Sequence, residues 1–154
     1  ITVLPGQFVE KSVELTPEKE AVIRTWSLPQ DDFHPFVEDY WWNLRKNTDV
    51  DYPADIEAVA VYGSVARGEA ADESDIDMLV VTSDEQAAEI VTKVFGSNQI
   101  RNKHGTKLAM TEVYTKQEFE NSREQGSQFI KNILGEAHII YDPQQLLAQS
   151  GGSR

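Results

Sequence analysis

The chain lacks cysteine altogether, which excludes a disulfide framework and a thiolate zinc site. It also lacks any run of about 20 apolar residues, the length that a membrane-spanning helix requires, so we expect no membrane association. No signal-peptide pattern is visible, and a cytoplasmic location is the expectation. Because the sequence begins at Ile1 rather than Met, a fragment, a processed N-terminus and a removed tag all stay open, and so does the question of a missing upstream segment.

Basic residues are scarce. Lysine and arginine together number 14 against 26 aspartates and glutamates, which gives a net charge of −12 and a pI near 4.6. Such an acidic surface repels the phosphate backbone, so general nucleic-acid binding is excluded. A nucleotide site in this chain would need Mg²⁺ and local cations. The hydrophobic share of 40% over 154 residues predicts one compact domain with an appendage.

The most informative segment reads A-V-A-V-Y-G-S-V-A-R-G-E-A-A-D-E-S-D-I-D-M-L-V-V. Its first residues, 58–62, form a short apolar, β-branched run that predicts a buried strand. Gly63 permits a sharp turn and a close approach to a ligand. Ser64 adds a hydroxyl group and, if a helix starts there, an unpaired N–H group that suits phosphate.

Asp75 and Asp77 open the second apolar run. Residues two apart on a strand point to one face, so the carboxylates would lie roughly 6.6 Å apart along the chain. At an effective dielectric constant near 20 their repulsion is about 2.5 kcal/mol. Mg²⁺ would turn that repulsion into attraction, because it prefers one or two carboxylates together with substrate phosphates. The alternative is a crossover turn with solvated acids at a strand start.

Residues 63–81 resemble the signature of the DNA polymerase β-like nucleotidyltransferase superfamily, in particular its minimal nucleotidyltransferase branch, which includes antitoxins paired with HEPN-domain toxins. The resemblance spans about residues 55–143, and within the signature residues 66–68 and Ser74 match as well. It implies that Gly63 and Ser64 hold the triphosphate of a nucleotide and that Asp75 and Asp77 bind Mg²⁺, for which Mn²⁺ would substitute. Ser74 is counted with the nucleotide-binding residues on the same resemblance.

The family usually has a third acid on a later central strand, and this chain has Met110 at the aligned position. Glu112 shares the strand face of Met110 by period 2 and is the candidate third metal ligand and catalytic carboxylate. The alternative is a solvent-facing strand acid, in which case the site would bind nucleotide and turn over poorly.

Arg67 follows Ser64 by three positions, close enough to contact a β- or γ-phosphate. A site of acids and phosphates needs positive charge, which favours a nucleotide-binding role for Arg67. The alternative is an ordinary solvated arginine.

The pattern of elements predicts an α+β (α/β-like) fold, a small mixed sheet backed by helices. We expect an N-terminal appendage at 1–52 (edge strands and two helices), a nucleotidyltransferase domain at 53–145 and a loose tail at 146–154. Within the domain, strands are predicted at 57–62, 75–82 and 106–114, helices at 84–95, 115–125 and 129–134, and an extended piece at 137–141.

A helix at 31–47 carries apolar side chains at three- and four-residue spacings, which is typical of a core-facing stripe. With Trp42 beside it the stripe is wide, so a partner surface is the alternative. The stripe consists of Phe33, Phe36, Val37, Tyr40, Trp41 and Leu44.

These observations predict a Mg²⁺-dependent nucleotidyltransferase that moves a nucleoside monophosphate, AMP from ATP by expectation, to an acceptor hydroxyl with release of pyrophosphate. Charge neutralisation by the metal ions and positioning of the reactants would dominate catalysis. An antitoxin-type partner of a HEPN-like toxin, a non-catalytic nucleotide-binding regulator and transfer to an antibiotic-like small molecule are the alternatives. A homo-oligomer stays open.

Overall fold

A computed structural model of the chain describes residues 28–46 and 55–147. The edge strands and the first of the two helices predicted for the appendage, together with most of the predicted tail, lie outside the described residues. In the described part, none of the helices has the length and apolarity needed to cross a bilayer.

The described elements follow one another as a short 3-10 turn, Asp31–Phe33, then α1 His34–Lys46, β1 Ile56–Tyr62, α2 Gly63–Arg67, β2 Ile76–Thr82, α3 Glu85–Phe95, β3 Ser97–Asn102, β4 Gly105–Thr115, α4 Lys116–Glu124, α5 Gln128–Glu136 and β5 His138–Tyr141. The strands form one five-stranded sheet in the order β3-β4-β2-β1-β5. Only β2 and β4 pair in parallel, and the remaining pairs are antiparallel. The fold is therefore α+β with a mixed sheet, as predicted.

The sheet contains one strand that the sequence did not predict. The predicted elements left residues 96–105, between the helix at 84–95 and the strand at 106–114, without a strand. Instead Ser97–Asn102 forms β3, which pairs with β4 as an antiparallel hairpin. The strand Ser97–Asn102 is polar, and Ile100 is its one buried side chain, so it lacks the apolar alternation that marks a strand in sequence.

One face of the sheet is covered by α1. The predicted stripe of α1 is buried in the same core as the sheet, and Trp42 is partly buried against it. Tyr40 shows how closely the helix fits: its hydroxyl lies 2.8 Å from Thr111 Oγ1 on β4, and its ring meets Phe95 edge-on at 5.3 Å. The stripe is therefore core and not a partner surface. Residues 34–46, predicted as part of an appendage, pack as an integral layer of the domain.

The opposite face is covered by α4 and α5. Phe119 of α4 and Ile130 and Ile133 of α5 pack on small and branched residues of β1 and β2. Leu146 and Leu147 join this cluster, although the sequence placed them in a loose tail. Their N–H groups donate to the carboxylate of Asp142 at 2.8 and 2.9 Å, which closes the chain onto the sheet.

Helix caps account for several element starts. Thr115 and Glu118 form a reciprocal capping box at the start of α4, which satisfies two otherwise unpaired N–H groups. At α3 the cap is Asp84, whose side chain accepts from Ala87 N–H at 2.9 Å. The carboxylate of Asp84 also suits the positive end of the helix dipole.

Candidate functional site

The turn between β1 and α2 is built on Gly63. This residue is buried and has φ of +79°, a left-handed conformation that favours glycine. A Cβ at position 63 would overlap the Oδ2 atom of Asp77. The absence of a side chain therefore lets the Asp77 carboxylate lie directly against the turn.

Sheet register places Asp77 at this turn. Asp77 pairs laterally with Tyr62, the residue that precedes Gly63, and Ile76, Met78 and Val80 are buried on the other face. Asp75 precedes the first residue of β2 and is exposed, whereas Asp77 is half-buried. The two carboxylates therefore have unequal environments, which the strand-face argument alone did not distinguish.

Carboxylates converge on Asp77. Burial raises the pKa of Asp77, and Asp75, Glu136 and Glu112 raise it further, while Arg67 opposes them. Burial, followed by the charges of Asp77 and Glu112, also raises the pKa of Tyr62, so its phenol stays neutral at physiological pH. Such mutual repulsion between oxygen ligands is what a hard divalent cation relieves.

Glu112 lies on the same side of the sheet as Asp77. Met110 is the register partner of Asp77, and Glu112 is the partner of Leu79, two positions further along β2. Glu112 is exposed, and its charge acts on Asp77 and on Tyr114. No group of three or more His, Asp or Glu side chains within residues 28–46 and 55–147 is arranged to hold a metal. Of the carboxylate charges that act on Asp77, that of Asp75 is the largest and that of Glu112 the smallest.

A cavity of about 620 Å³ opens beside the turn, a volume typical of small-molecule sites. One wall comes from the turn, α2 and β2, and the other comes from α5. Tyr62 and Phe129 meet edge-on with their ring centroids 5.9 Å apart and form an aromatic part of the lining. The residues that line the cavity are Tyr62, Gly63, Ser64, Arg67, Asp77, Phe129, Lys131, Asn132, Ile133, Gly135 and Glu136.

Glu136 is a site residue that the sequence did not single out. Its Oε2 accepts a hydrogen bond from Gly63 N–H at 2.7 Å, and its Oε1 accepts one from Arg67 Nη1 at 3.0 Å. Arg67 also donates through Nε to Glu69 at 3.0 Å. The resemblance covered this part of the chain, but nothing in the spacing linked position 136 to a turn 73 residues earlier.

Ser64 and Ser74 lie in different places. Ser64 lines the cavity, and its contact with a phosphate stays a prediction. Ser74 lies in the loop before β2, where its Oγ accepts from Ala71 N–H at 2.8 Å, and it is not among the residues that line the cavity. In this structure Ser74 shapes the loop that delivers Asp75, and its predicted contact with nucleotide stays a prediction.

Comparison with known proteins places these residues in context. Residues 44–146 match a family model described as polymerase beta, nucleotidyltransferase. A toxin–antitoxin complex crystallised with AMP-PNP is similar in structure, with a TM-score of 0.40, 13% identity and coverage of 70% of this chain and 75% of that chain. A mutant of the MntA-HpeT toxin–antitoxin pair gives a TM-score of 0.37, 11% identity and coverage of 70% and 75%. Among curated proteins, none matches the chain.

Proposed function

Because the chain belongs to the polymerase beta nucleotidyltransferase family, we propose that it transfers a nucleoside monophosphate from a nucleoside triphosphate, with ATP as the expected donor, to an acceptor hydroxyl. The acceptor oxygen would form a bond to the α-phosphorus as the bond from that phosphorus to the bridging oxygen breaks. Pyrophosphate leaves with the bond electrons, and the hydroxyl proton passes to a base. The observation that carries the proposal is the Asp77 carboxylate held against the Gly63 turn inside one cavity.

Asp75 and Asp77 are the residues that would hold Mg²⁺ or Mn²⁺ together with phosphate oxygens. When bound, the ion would neutralise charge on the triphosphate and polarise its phosphoryl oxygens. Burial of Asp77 makes its ionised form costly without a cation. The two aspartates thus offer the hard oxygen ligands that magnesium prefers, with room left for the substrate.

Gly63, Ser64 and Arg67 would bind the phosphates. The turn presents the backbone N–H of Gly63 toward the cavity side, where it already donates to a carboxylate oxygen of Glu136. Arg67 extends a guanidinium group to the same carboxylate, and arginine forms charge-assisted hydrogen bonds with phosphate in the same way. The aromatic pair Tyr62 and Phe129 gives the cavity an apolar part, which suits the base and sugar of a nucleotide.

Isotope placement tests the proposal. The protein is incubated with Mg²⁺ or Mn²⁺, a lysate of the native host and ATP labelled at either the α- or the γ-phosphate. We expect the α-label to appear on an acceptor and the γ-label to appear in pyrophosphate. Transfer of the γ-label to the acceptor would indicate a kinase instead, and no transfer of either label would contradict transferase activity.

Glu112 is proposed to assist the acceptor hydroxyl, either as a base or as a third ligand. We expect Glu112→Gln to lower kcat about 100-fold, the lower end for loss of a general base, and to change the Kd for ATP little. The matched control is Glu89→Gln, an exposed glutamate on α3 that does not line the cavity. Wild-type kcat in Glu112→Gln would show that the proton leaves without this carboxylate.

A nucleotide-binding regulator without turnover is the second candidate. It is favoured by one observation, that Met110 rather than an acid is the register partner of Asp77. Calorimetry that shows binding of ATP with Mg²⁺, combined with no release of pyrophosphate, would favour the regulator. The antitoxin-type role beside a HEPN-like toxin stays a prediction. The aromatic stripe that suggested a partner surface is buried and therefore does not support this role.

A further inference from the structure

The carboxylate of Glu136 occupies the two donors that a phosphate would use. One oxygen accepts from Gly63 N–H and the other from Arg67 Nη1. A carboxylate with two oxygens on two convergent donors has the charge and the spacing of one edge of a phosphoryl group. Both donors, and Glu136 itself, line the cavity.

Local structure does not otherwise favour an acid at this position. Glu136 is the last residue of α5, where the helix dipole disfavours negative charge. It also lies close enough to Asp77 to raise the pKa of that aspartate by repulsion. The side chain of Glu136 is 22% exposed, so it is partly withdrawn from water. The contacts with Gly63 and Arg67 are the interactions that compensate for these costs.

We propose that Glu136 is an internal competitor for the terminal phosphoryl group of the substrate, a proposal that rests on the transferase function above. A triphosphate must displace this carboxylate from Gly63 N–H and Arg67 before its own oxygens can bind there. A rotation of the Glu136 side chain away from Gly63 and Arg67 would free both donors. The site therefore selects ligands whose phosphoryl group carries more negative charge than a carboxylate, and it disfavours anions that carry less.

The test measures binding of inorganic tripolyphosphate in the presence of Mg²⁺ by titration calorimetry. We expect Glu136→Gln to bind tripolyphosphate about tenfold more tightly than the wild-type chain, because the competing charge-assisted bond to Arg67 is lost. Glu136→Asp, whose side chain is one methylene shorter and cannot span both donors, should bind with intermediate affinity. Melting curves confirm that each variant is folded.

The matched control is Glu69→Gln. Glu69 also accepts from Arg67, at 3.0 Å through Nε, and it is more exposed than Glu136, with a side-chain exposure of 65%. Since Glu69 is not in the cavity lining, we expect its variant to bind tripolyphosphate as the wild type does. Equal tightening in both variants would show a general charge effect and would overturn the competitor role.

The outcomes separate this inference from the transferase proposal. If the wild type binds tripolyphosphate and Glu136→Gln binds it equally or more weakly, Glu136 is not a competitor, and the transferase proposal stands. If none of the wild type, Glu136→Gln and Glu69→Gln binds, the phosphate site itself is contradicted, and the transferase proposal falls together with the inference. If Glu136→Gln binds tripolyphosphate and the other two proteins do not, the result would support the proposal that Glu136 competes for the phosphate site.

Discussion

Asp77→Asn is expected to abolish metal-dependent transfer, by about 1,000-fold or more, and to stabilise the metal-free protein. An amide is a poor ligand for a hard cation, and the loss of one of two carboxylates removes several kcal/mol of charge stabilisation from the reaction. The measurement is the rate of pyrophosphate release with saturating ATP and Mg²⁺. The matched control is Asp72→Asn, an exposed aspartate in the loop before β2 that does not line the cavity.

The gain in stability follows from the sign of the pKa shift. Burial and then the charge of Asp75 raise the pKa of Asp77 in the folded state, so the folded chain holds this proton more tightly than the unfolded chain. Stability therefore falls as pH rises from the ordinary aspartate pKa, about 4, through the raised pKa of Asp77. Asparagine carries no charge and avoids this loss.

Thermal denaturation without metal checks the prediction. At neutral pH the melting temperature of Asp77→Asn should exceed that of the wild type, and the difference should vanish below about pH 4, where aspartate is protonated. Saturating Mg²⁺ should raise the melting temperature of the wild type and leave the variant unchanged. Full activity in Asp77→Asn would contradict the metal site. A lower melting temperature at neutral pH would contradict the burial and repulsion that raise the pKa of Asp77.

Gly63→Ala should have the second large effect, because it changes both the backbone and the position of Asp77. An alanine at φ of +79° costs about 1–2 kcal/mol, and its Cβ would overlap Oδ2 of Asp77. The carboxylate must then leave the turn, so we expect transfer to fall at least 100-fold. The measurements are chemical denaturation for stability and pyrophosphate release for activity.

Gly126→Ala is the control that separates backbone strain from displacement of the Asp77 carboxylate. Gly126 has the same φ of +79°, but the nearest atom to an added Cβ is Lys131 Nζ at 4.0 Å. Its alanine variant should suffer similar backbone strain and keep most of its activity. If Gly63→Ala and Gly126→Ala lost activity equally, the close packing of Asp77 on the turn would not be what the reaction requires.

Part of this site could be predicted because it is local in sequence. An apolar strand, a Gly-Ser turn and a second strand that opens with Asp75 and Asp77 lie within one short segment, and neighbouring antiparallel strands bring its two ends together. The structure places Asp77 beside Gly63 for this reason. The mixed sheet followed from equally local patterns of periodicity.

The elements that were missed depend on distant partners. β3 is polar and becomes a strand by pairing with β4, so tertiary pairing overrides its weak propensity. The width of the aromatic stripe on α1 suggested an exposed surface, but the sheet and α3 bury it. Leu146 and Leu147 belong to the core because Asp142 turns the chain back toward α4 and α5.

The sequence by itself determined the composition of the site: a glycine that permits the turn, a serine and an arginine after it, and two aspartates on the next strand. Only the tertiary structure decided that Asp77 is half-buried while Asp75 is exposed, that Glu112 lies two positions away from the register of Asp77, and that Glu136 closes over Gly63 and Arg67. The physical reason is that residue type and spacing are local properties, whereas burial, lateral register and the reach of a side chain from α5 arise only when distant segments pack together.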